Sequence, residues 1–347
     1  MRKYNKFSDG FDKGLEPLKP LDIAKCRSAL ELVKEMKDTA FGGRALGEAH
    51  EVLYKMISDP DCFVVGTFSG AMTIAKMGLL VCEMIDRKML DAVVSTGALM
   101  AHGFVESVGY SHFKCDPYVD DVDYYKSGFN RVYDTIELEK NLDDIETIIK
   151  DVLNKWDKSK PLSSVTFCEE LGRYLLKTTK GRGLLKSAAA NNIPVYIPAF
   201  TDSELGIDVG VFRRRQKKKN MPLIDFDPFI DMDDYAERIM KSRKIGIFTI
   251  GGGVPRNWAQ QVAPYIDIIN HKLGEKFPQK RFSYGVRICP EPVHWGGLSG
   301  CTYKEGVSWG KFIPKTEGGM WAEVMADATI AWPLLLRSVI ERMESGK

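Results

Sequence analysis

Apolar positions along the chain follow two spacings. Short solid runs ending in small or polar residues alternate with longer segments whose apolar positions recur every three to four residues. The solid runs, 62–67, 90–95, 194–198, 244–250, 283–289 and 321–325, read as buried strands. The periodic segments read as helices. They run from about residue 22 to a break at Phe41-Gly42-Gly43-Arg44, then over 46–57, 72–89, 136–156, 167–179, 184–190, 256–273 and 332–343. In the 136–156 segment, Leu138, Leu142, Ile145, Ile148, Ile149 and Leu153 share one face. Apolar strands alternating with helices predict an α/β fold, a doubly wound and mainly parallel sheet with helices on both faces.

Outside this alternation, residues 1–22 are polar, carry Pro17 and Pro20, and read as an arm. Residues 1–40 therefore form an arm and first helix, and 41–347 a single domain, because no interior Pro/Gly/Ser linker divides them. Residues 112–135, rich in Asp, Tyr and Gly, read as an irregular excursion.

Composition narrows the function classes. A net charge of +2 gives no global field for nucleic acid or an anionic membrane. No apolar run reaches the roughly 18 residues that span a bilayer, and the polar N-terminus lacks a signal-peptide core; the expectation is a cytoplasmic protein. The 7 cysteines lack CxxC spacing, which points away from disulfides and zinc. Histidines such as His50, His102, His112 and His294 show no ligand spacing either, so no metal is expected. The basic run Arg213-Arg214-Arg215-Gln216-Lys217-Lys218-Lys219 reads as a solvated loop, with an acidic partner or RNA as the functional alternative.

Candidate chemistry collects after the strands. The turns at Ser69-Gly70, Thr96-Gly97 and Gly251-Gly252-Gly253 each follow a strand and open a helix, where backbone N–H groups favour phosphate. None matches G-x-G-x-x-G, yet three in one repeated context favour a nucleotide. Asp202 and Asp327 stand where a carboxylate either caps a helix or holds a ribose, and capping is the better reading from the residues alone. Near the C-terminal end, Glu305-Gly306-Val307-Ser308-Trp309-Gly310-Lys311 offers an amine nucleophile. Lysine attacks as the neutral amine and so needs an apolar wall or a second cation to lower its pKa. Trp309 is a candidate wall, and Glu305 a group to orient substrate or handle a proton. His294 and Trp295, just before this stretch, either line its pocket or pack in the core.

Ser299-Gly300 followed by residues 305–311 resembles the SG…EAVSWGK signature of deoxyhypusine synthase. Residues 192–206 resemble its NIPVFCPALTDGSLG, 249–254 its ILGGGV, and Ala326-Asp327-Ala328-Thr329 with Pro333-Leu334-Leu335 its ADASLVFPLL. Ser69 and Thr96 fall at its TSNL and TTAGG turns, and the match runs in order over most of residues 40–340. The resemblance implies a Rossmann-like fold, NAD as cofactor, and a homotetramer with sites at dimer interfaces, where an N-terminal arm can cover a neighbour's site. It implies that Ser69, Thr96, Asp202, Gly252, Gly253 and Asp327 hold NAD, while Glu305, Trp309 and Lys311 handle a polyamine. In that family NAD removes hydride from spermidine, the lysine captures the aminobutyl group as an imine, and an acceptor amine takes it.

The departures from the family pattern bear on the substrate. Its proton-transferring histidine, four residues beyond the third glycine, is Asn257, which can hydrogen-bond but cannot take a proton near neutral pH. The acid of its TDGSLGD is Ile207, the acid before its SG is Leu298, and its acidic pair after TTAGG is Ala101-His102. Each lost carboxylate removes a charge-assisted contact worth about 1.5–3 kcal/mol where buried; Glu204, Asp208 and Glu291 are candidate replacements. The expectation is a divergent branch that passes the aminobutyl group to a small amine such as putrescine, giving homospermidine. The alternatives are a true deoxyhypusine synthase acting on a lysine of the hypusine-bearing translation factor, or a non-catalytic nucleotide-binding scaffold. A scaffold has no chemical need for Lys311, Trp309 and Glu305.

Overall fold

The computed structural model describes residues 7–346. Residues 7–28 run as largely exposed chain with two single 3-10 turns, Phe11–Lys13 and Ile23–Lys25, instead of a helix from residue 22. The first α-helix, α1 (Ala29–Met36), starts at Ser28, whose side chain accepts from Glu31 N; Asp22 makes no such cap bond. The expected arm over 1–22 lies partly outside the described residues, and the part within them is exposed. The expected break at residues 41–44 is instead the first turn of α2 (Phe41–Ser58), with Phe41 at φ 57° reversing the chain. Gly47 lets α2 cross the end of α1, since a Cβ there would lie 2.5 Å from Lys37 Cα.

Strand β1 (Cys62–Phe68) follows, then α3 (Gly78–Asp86), β2 (Ala92–Ser95) and α4 (Gly97–Ser107). The helix expected over 72–89 is shorter because residues 72–76 coil into a turn with Lys76 at φ 63°. The excursion at 112–135 is ordered. Strands β3 (Phe113–Lys114), β4 (Phe129–Val132) and β5 (Thr135–Leu138), with α5 (Asp121–Lys126) between β3 and β4, make an antiparallel sheet of order β3-β5-β4. Its strands are short and largely solvent-facing, so no apolar run marks them. Ile136 and Leu138 belong to β5, and α6 (Glu139–Lys155) begins after them, burying Ile145, Ile149 and Leu153.

Then come α7 (Ser164–Thr178), α8 (Leu184–Asn191), β6 (Val195–Tyr196), α9 (Glu204–Lys218) and α10 (Phe229–Lys241). The basic run expected as a loop forms the last turns of α9, where cations complement the helix dipole. Arg213 there donates to Ile224 O, and Arg215 pairs with Glu146. The chain closes with β7 (Lys244–Ile250), α11 (Gly253–Leu273), β8 (Phe282–Ile288), α12 (Tyr303–Ser308), β9 (Met320–Val324) and α13 (Ala328–Ser345).

The main sheet is parallel throughout, in the order β6-β2-β1-β7-β8-β9. Successive strands step outward from β1 to β6, and the chain then returns to β7 on the other side of β1. That reversal puts the topological switch point between the C-terminal ends of β1 and β7, where doubly wound sheets open a ligand crevice. Alternation along the strands feeds two cores, one on each face. Phe68, Phe248 and Trp332 belong to one; Ile247, Tyr235 and Phe312 belong to the other. No described helix is long and apolar enough to cross a membrane.

Trp332, fully buried, meets Phe68 at 5.6 Å and Phe248 at 6.2 Å between ring centroids. Trp332→Ala should therefore lower unfolding free energy by about 3–5 kcal/mol, read as a shift of the urea midpoint at unchanged slope.

Candidate active site

The crevice at the switch point is built from close backbone approaches. Ser69 Oγ accepts from Gly252 N at 2.9 Å and donates to Ile250 O at 3.2 Å, which ties the end of β1 to the end of β7. Gly251, at φ 76°, leaves room for that hydroxyl, because a Cβ would collide with Ser69 Oγ. A Cβ on Gly252 would lie 2.7 Å from Ser299 Cα. Two glycines expected to admit phosphate are thus also filled from behind by the chain itself. Thr96 caps α4 and donates to Gly70 O at 2.7 Å, joining the turns after β1 and β2.

The two carboxylates expected to cap helices part company. Asp327 does cap α13, accepting from Thr329 N at 2.6 Å and Thr329 Oγ1 at 2.7 Å. Asp202 does not cap α9. Ser203 takes that place by accepting from Gly206 N, and the Asp202 carboxylate is exposed without a partner among the described residues. The short Ser203 hydroxyl sits one residue nearer the helix and so reaches its first turn.

Behind Ser299, two buried arginines grip the signature loop. Arg287 on β8 donates to Ser299 O and Cys301 O, both at 2.6 Å, and pairs with Glu323 at 2.8 Å. Arg256 on α11 donates to Cys301 O at 2.7 Å and Leu298 O at 2.9 Å. Thr302 then caps α12, accepting from Glu305 N at 3.0 Å. Gly310, at φ 70°, turns the chain so that Lys311 O accepts from Phe282 N at the start of β8.

Lys311 is only 8% exposed and its Nζ donates to Asn257 Oδ1 at 3.0 Å. Burial lowers its pKa from the ordinary lysine value, and the Arg256 charge lowers it further, against smaller opposing effects of Cys301 and Glu305. Trp309 lies over Nζ at 5.9 Å from its ring centroid but is 65% exposed, so it walls one side only. A second cation beside Lys311 is Arg256, to which the sequence analysis assigned no role. Its signal was a charged residue in the first turn of a helix that packs on the sheet. Glu305 is exposed, with Oε1 3.6 Å from Cys301 Sγ.

Lys311, Asn257 and Trp309 are thus brought together, and Ser69, Gly252 and Gly253 sit at the start of the same helix that carries Asn257. Glu204 and Asp208 share the first turns of α9, whereas Glu291 lies beyond β8. Burial and the charges of Glu146 and Glu204 push Asp208 up to about 7. His294 and Trp295 form an exposed 3-10 turn, so core packing does not hold them. His102 and His112, ten residues apart and on separate elements, meet with Glu137 in one buried group that no ligand spacing marks.

Fold and site together define a doubly wound α/β enzyme built around a buried lysine. The deoxyhypusine synthase family model matches residues 31–339, and the chain belongs to that family. "Probable deoxyhypusine synthase 2" of Methanosarcina acetivorans is 32% identical over 337 residues, covering 95% of this chain and 92% of that one. A "Deoxyhypusine synthase-like protein" of Chlorobaculum parvum is 30% identical, covering 92% and 88%. A solved candidate deoxyhypusine synthase from Entamoeba histolytica shares the fold at a TM-score of 0.59 and 17% identity, covering 93% of this chain and 97% of that one. Members of the family are NAD-dependent transferases of aminobutyl groups.

Two outcomes follow from the electrostatics. Arg256→Gln keeps donors for the loop carbonyls and removes the charge, so the pH midpoint for amine-reagent labelling of Lys311 should rise; an unchanged midpoint would leave burial as the whole cause. Asp208 holds its proton more tightly folded than unfolded, so its contribution to stability declines as pH rises from about 4 through about 7. Asp208→Asn lacks that loss, and its Tm advantage over the native chain should grow between pH 5 and pH 8.

Proposed function

We propose that the chain is a cytoplasmic, NAD-dependent aminobutyl transferase of polyamine metabolism. It takes spermidine or a related amine as donor; with hydride passed to NAD, the aminobutyl fragment would be held as an imine on Lys311 with release of 1,3-diaminopropane from spermidine, then passed to a small amine such as putrescine and reduced by the same hydride to homospermidine. The observation that carries this reading is the 3.0 Å bond from Lys311 Nζ to Asn257 Oδ1, at the position where the family has histidine. An amide oxygen orients the amine without removing a proton. Together with the absent carboxylates at Ile207, Leu298 and Ala101-His102, this changes how a cationic acceptor is held.

A dinucleotide would lie along the switch-point crevice. Asp202 offers an unpaired carboxylate at the sheet's C-terminal edge, and a Cβ on Gly70 (φ 70°) would meet only Met72 Cε, at 3.9 Å. Ser69, Thr96, Gly252 and Gly253 would line the phosphates, with Asp202 and Asp327 for the ribose hydroxyls. Bound there, NAD would take up a hydride and return it. The chain's own part would be to lower the Lys311 pKa by burial and Arg256, to orient its Nζ through Asn257, and to cover one side with Trp309. Glu305, exposed beside Cys301, would attract the cationic donor. A homotetramer with sites at dimer interfaces belongs to the same reading, in which the exposed Phe11, Leu15 and Leu18 of the arm cover a neighbour's site.

The names of the 30–32% identical relatives support a second reading, transfer to a protein lysine. Incubation with NAD and spermidine, with and without putrescine, followed by borohydride trapping, separates the two. The expected result is an aminobutyl adduct on Lys311 plus homospermidine, abolished in Lys311→Arg. In Asn257→Ala, adduct formation should slow roughly tenfold through loss of a hydrogen bond to the amine. An adduct without small-molecule product favours the protein acceptor. No adduct with any polyamine overturns both.

A further inference from the structure

We propose that His102, His112 and Glu137 form a binding site for a divalent transition cation of the zinc class. The three come from separate elements: His102 from α4, His112 from the link into β3, and Glu137 from β5. Their side chains are 8%, 0% and 1% exposed, and one ligand atom from each lies within 4.8 Å of the others.

Hydrogen bonding fixes one carboxylate oxygen of Glu137 and turns the other toward both imidazoles, where His102 Nδ1 is hydrogen-bonded to it. Glu137 Oε1 accepts from Leu138 N at 3.0 Å and Asn141 Nδ2 at 3.2 Å, which fixes the carboxylate. Its Oε2 faces His102 Nδ1 at 3.3 Å and His112 Nε2 at 2.5 Å. The latter contact is an ion pair that falls outside hydrogen-bond geometry, and apart from it the buried His112 Nε2 has no hydrogen-bond partner among the described residues. A cation shared by both imidazoles and Oε2 satisfies it. The outer nitrogens face carboxylates: His112 Nδ1 lies 3.5 Å from Glu106 Oε1, and His102 Nε2 lies 4.0 Å from Glu204 Oε1. A carboxylate behind a ligating imidazole fixes its tautomer and raises its basicity. Lys76 Nζ donates to His112 Nδ1 at 2.8 Å and pairs with Glu106; with a cation on Nε2 the proton moves to Nδ1, and Lys76 keeps Glu106 alone. A divalent ion together with Lys76 balances Glu137, Glu106 and Glu204 in charge.

The spacing suits a small, tetrahedrally coordinated ion. Bonds of about 2.0–2.1 Å separate neighbouring ligands by roughly 3.3–3.4 Å. The His102–Glu137 pair already has that separation, and the His112–Glu137 pair reaches it by opening roughly 0.8 Å. Two nitrogens and one carboxylate oxygen leave a fourth position for water. Such an ion would pin the three-stranded sheet to α4, the helix whose N-cap is Thr96, and so support the crevice from below.

The test uses the full chain, stripped with a chelator and titrated with Co2+. The expected result is the visible absorption of four-coordinate cobalt, saturating at one ion per chain, bleached by zinc, with zinc retained after desalting and a higher Tm. His112→Ala and Glu137→Gln should lose the absorption, while Lys311→Ala keeps it. The native titration does not depend on how the variants fold. No cobalt band and no retained zinc in the native chain, or an undiminished band in His112→Ala, overturns the proposal and leaves a metal-free imidazolium–carboxylate cluster.

Discussion

The site depends on two guanidinium groups buried beneath a loop. Arg256 and Arg287, each 2% exposed, direct their donors at the carbonyls of Leu298, Ser299 and Cys301. Backbone carbonyls in an irregular segment cannot satisfy one another as a strand or helix would, and a buried segment left that way is expensive. The arginines supply the missing donors, and Glu323 offsets the Arg287 charge. The loop so held sets the start of α12 and the turn at Gly310, and thereby the position of Lys311. The same Arg256 charge depresses the lysine's pKa. Support of the loop and part of the depression of the lysine's pKa come from one side chain.

Much of the architecture was legible in the pattern of apolar residues. Six buried runs became the six strands of the parallel sheet, since strands covered on both faces must be apolar throughout. Elements failed where that logic does not hold. The excursion sheet leaves Phe113, Phe129 and Val132 exposed, and gave no apolar run to read. The first helix was expected from residue 22 but starts after Ser28, and the helix that Ser203 caps had no expected range, only a cap expected at Asp202, whereas the helix opened at Thr96 was expected. The basic run was helical because Gln216 and Phe212 bury its inner face, a fact local charge density conceals.

The candidate site was legible in its residue types more than in its physics. Lys311, Asn257 and Trp309 do come together, as chain order alone could not guarantee. The tryptophan wall expected beside the lysine is largely open to solvent, and burial of the amine with the Arg256 charge lowers its pKa instead. Arg256 escaped notice because an arginine near glycines reads as a phosphate contact or a surface group, and only tertiary packing shows it turned inward. His102, His112 and Glu137 escaped for a related reason: groups contributed by a helix, a link and a strand have no common spacing.

The meeting of Gly252 with Ser299 has a mechanical side. With no side chain between them, the backbone of the turn after β7 rests directly on the backbone of the lysine-bearing loop, while Ser69 clasps the same turn from the neighbouring strand. Contacts between main chains have no rotamers to absorb a shift. A displacement at one is passed to the other almost undiminished, so the crevice and the lysine loop behave as the two jaws of a single rigid vice.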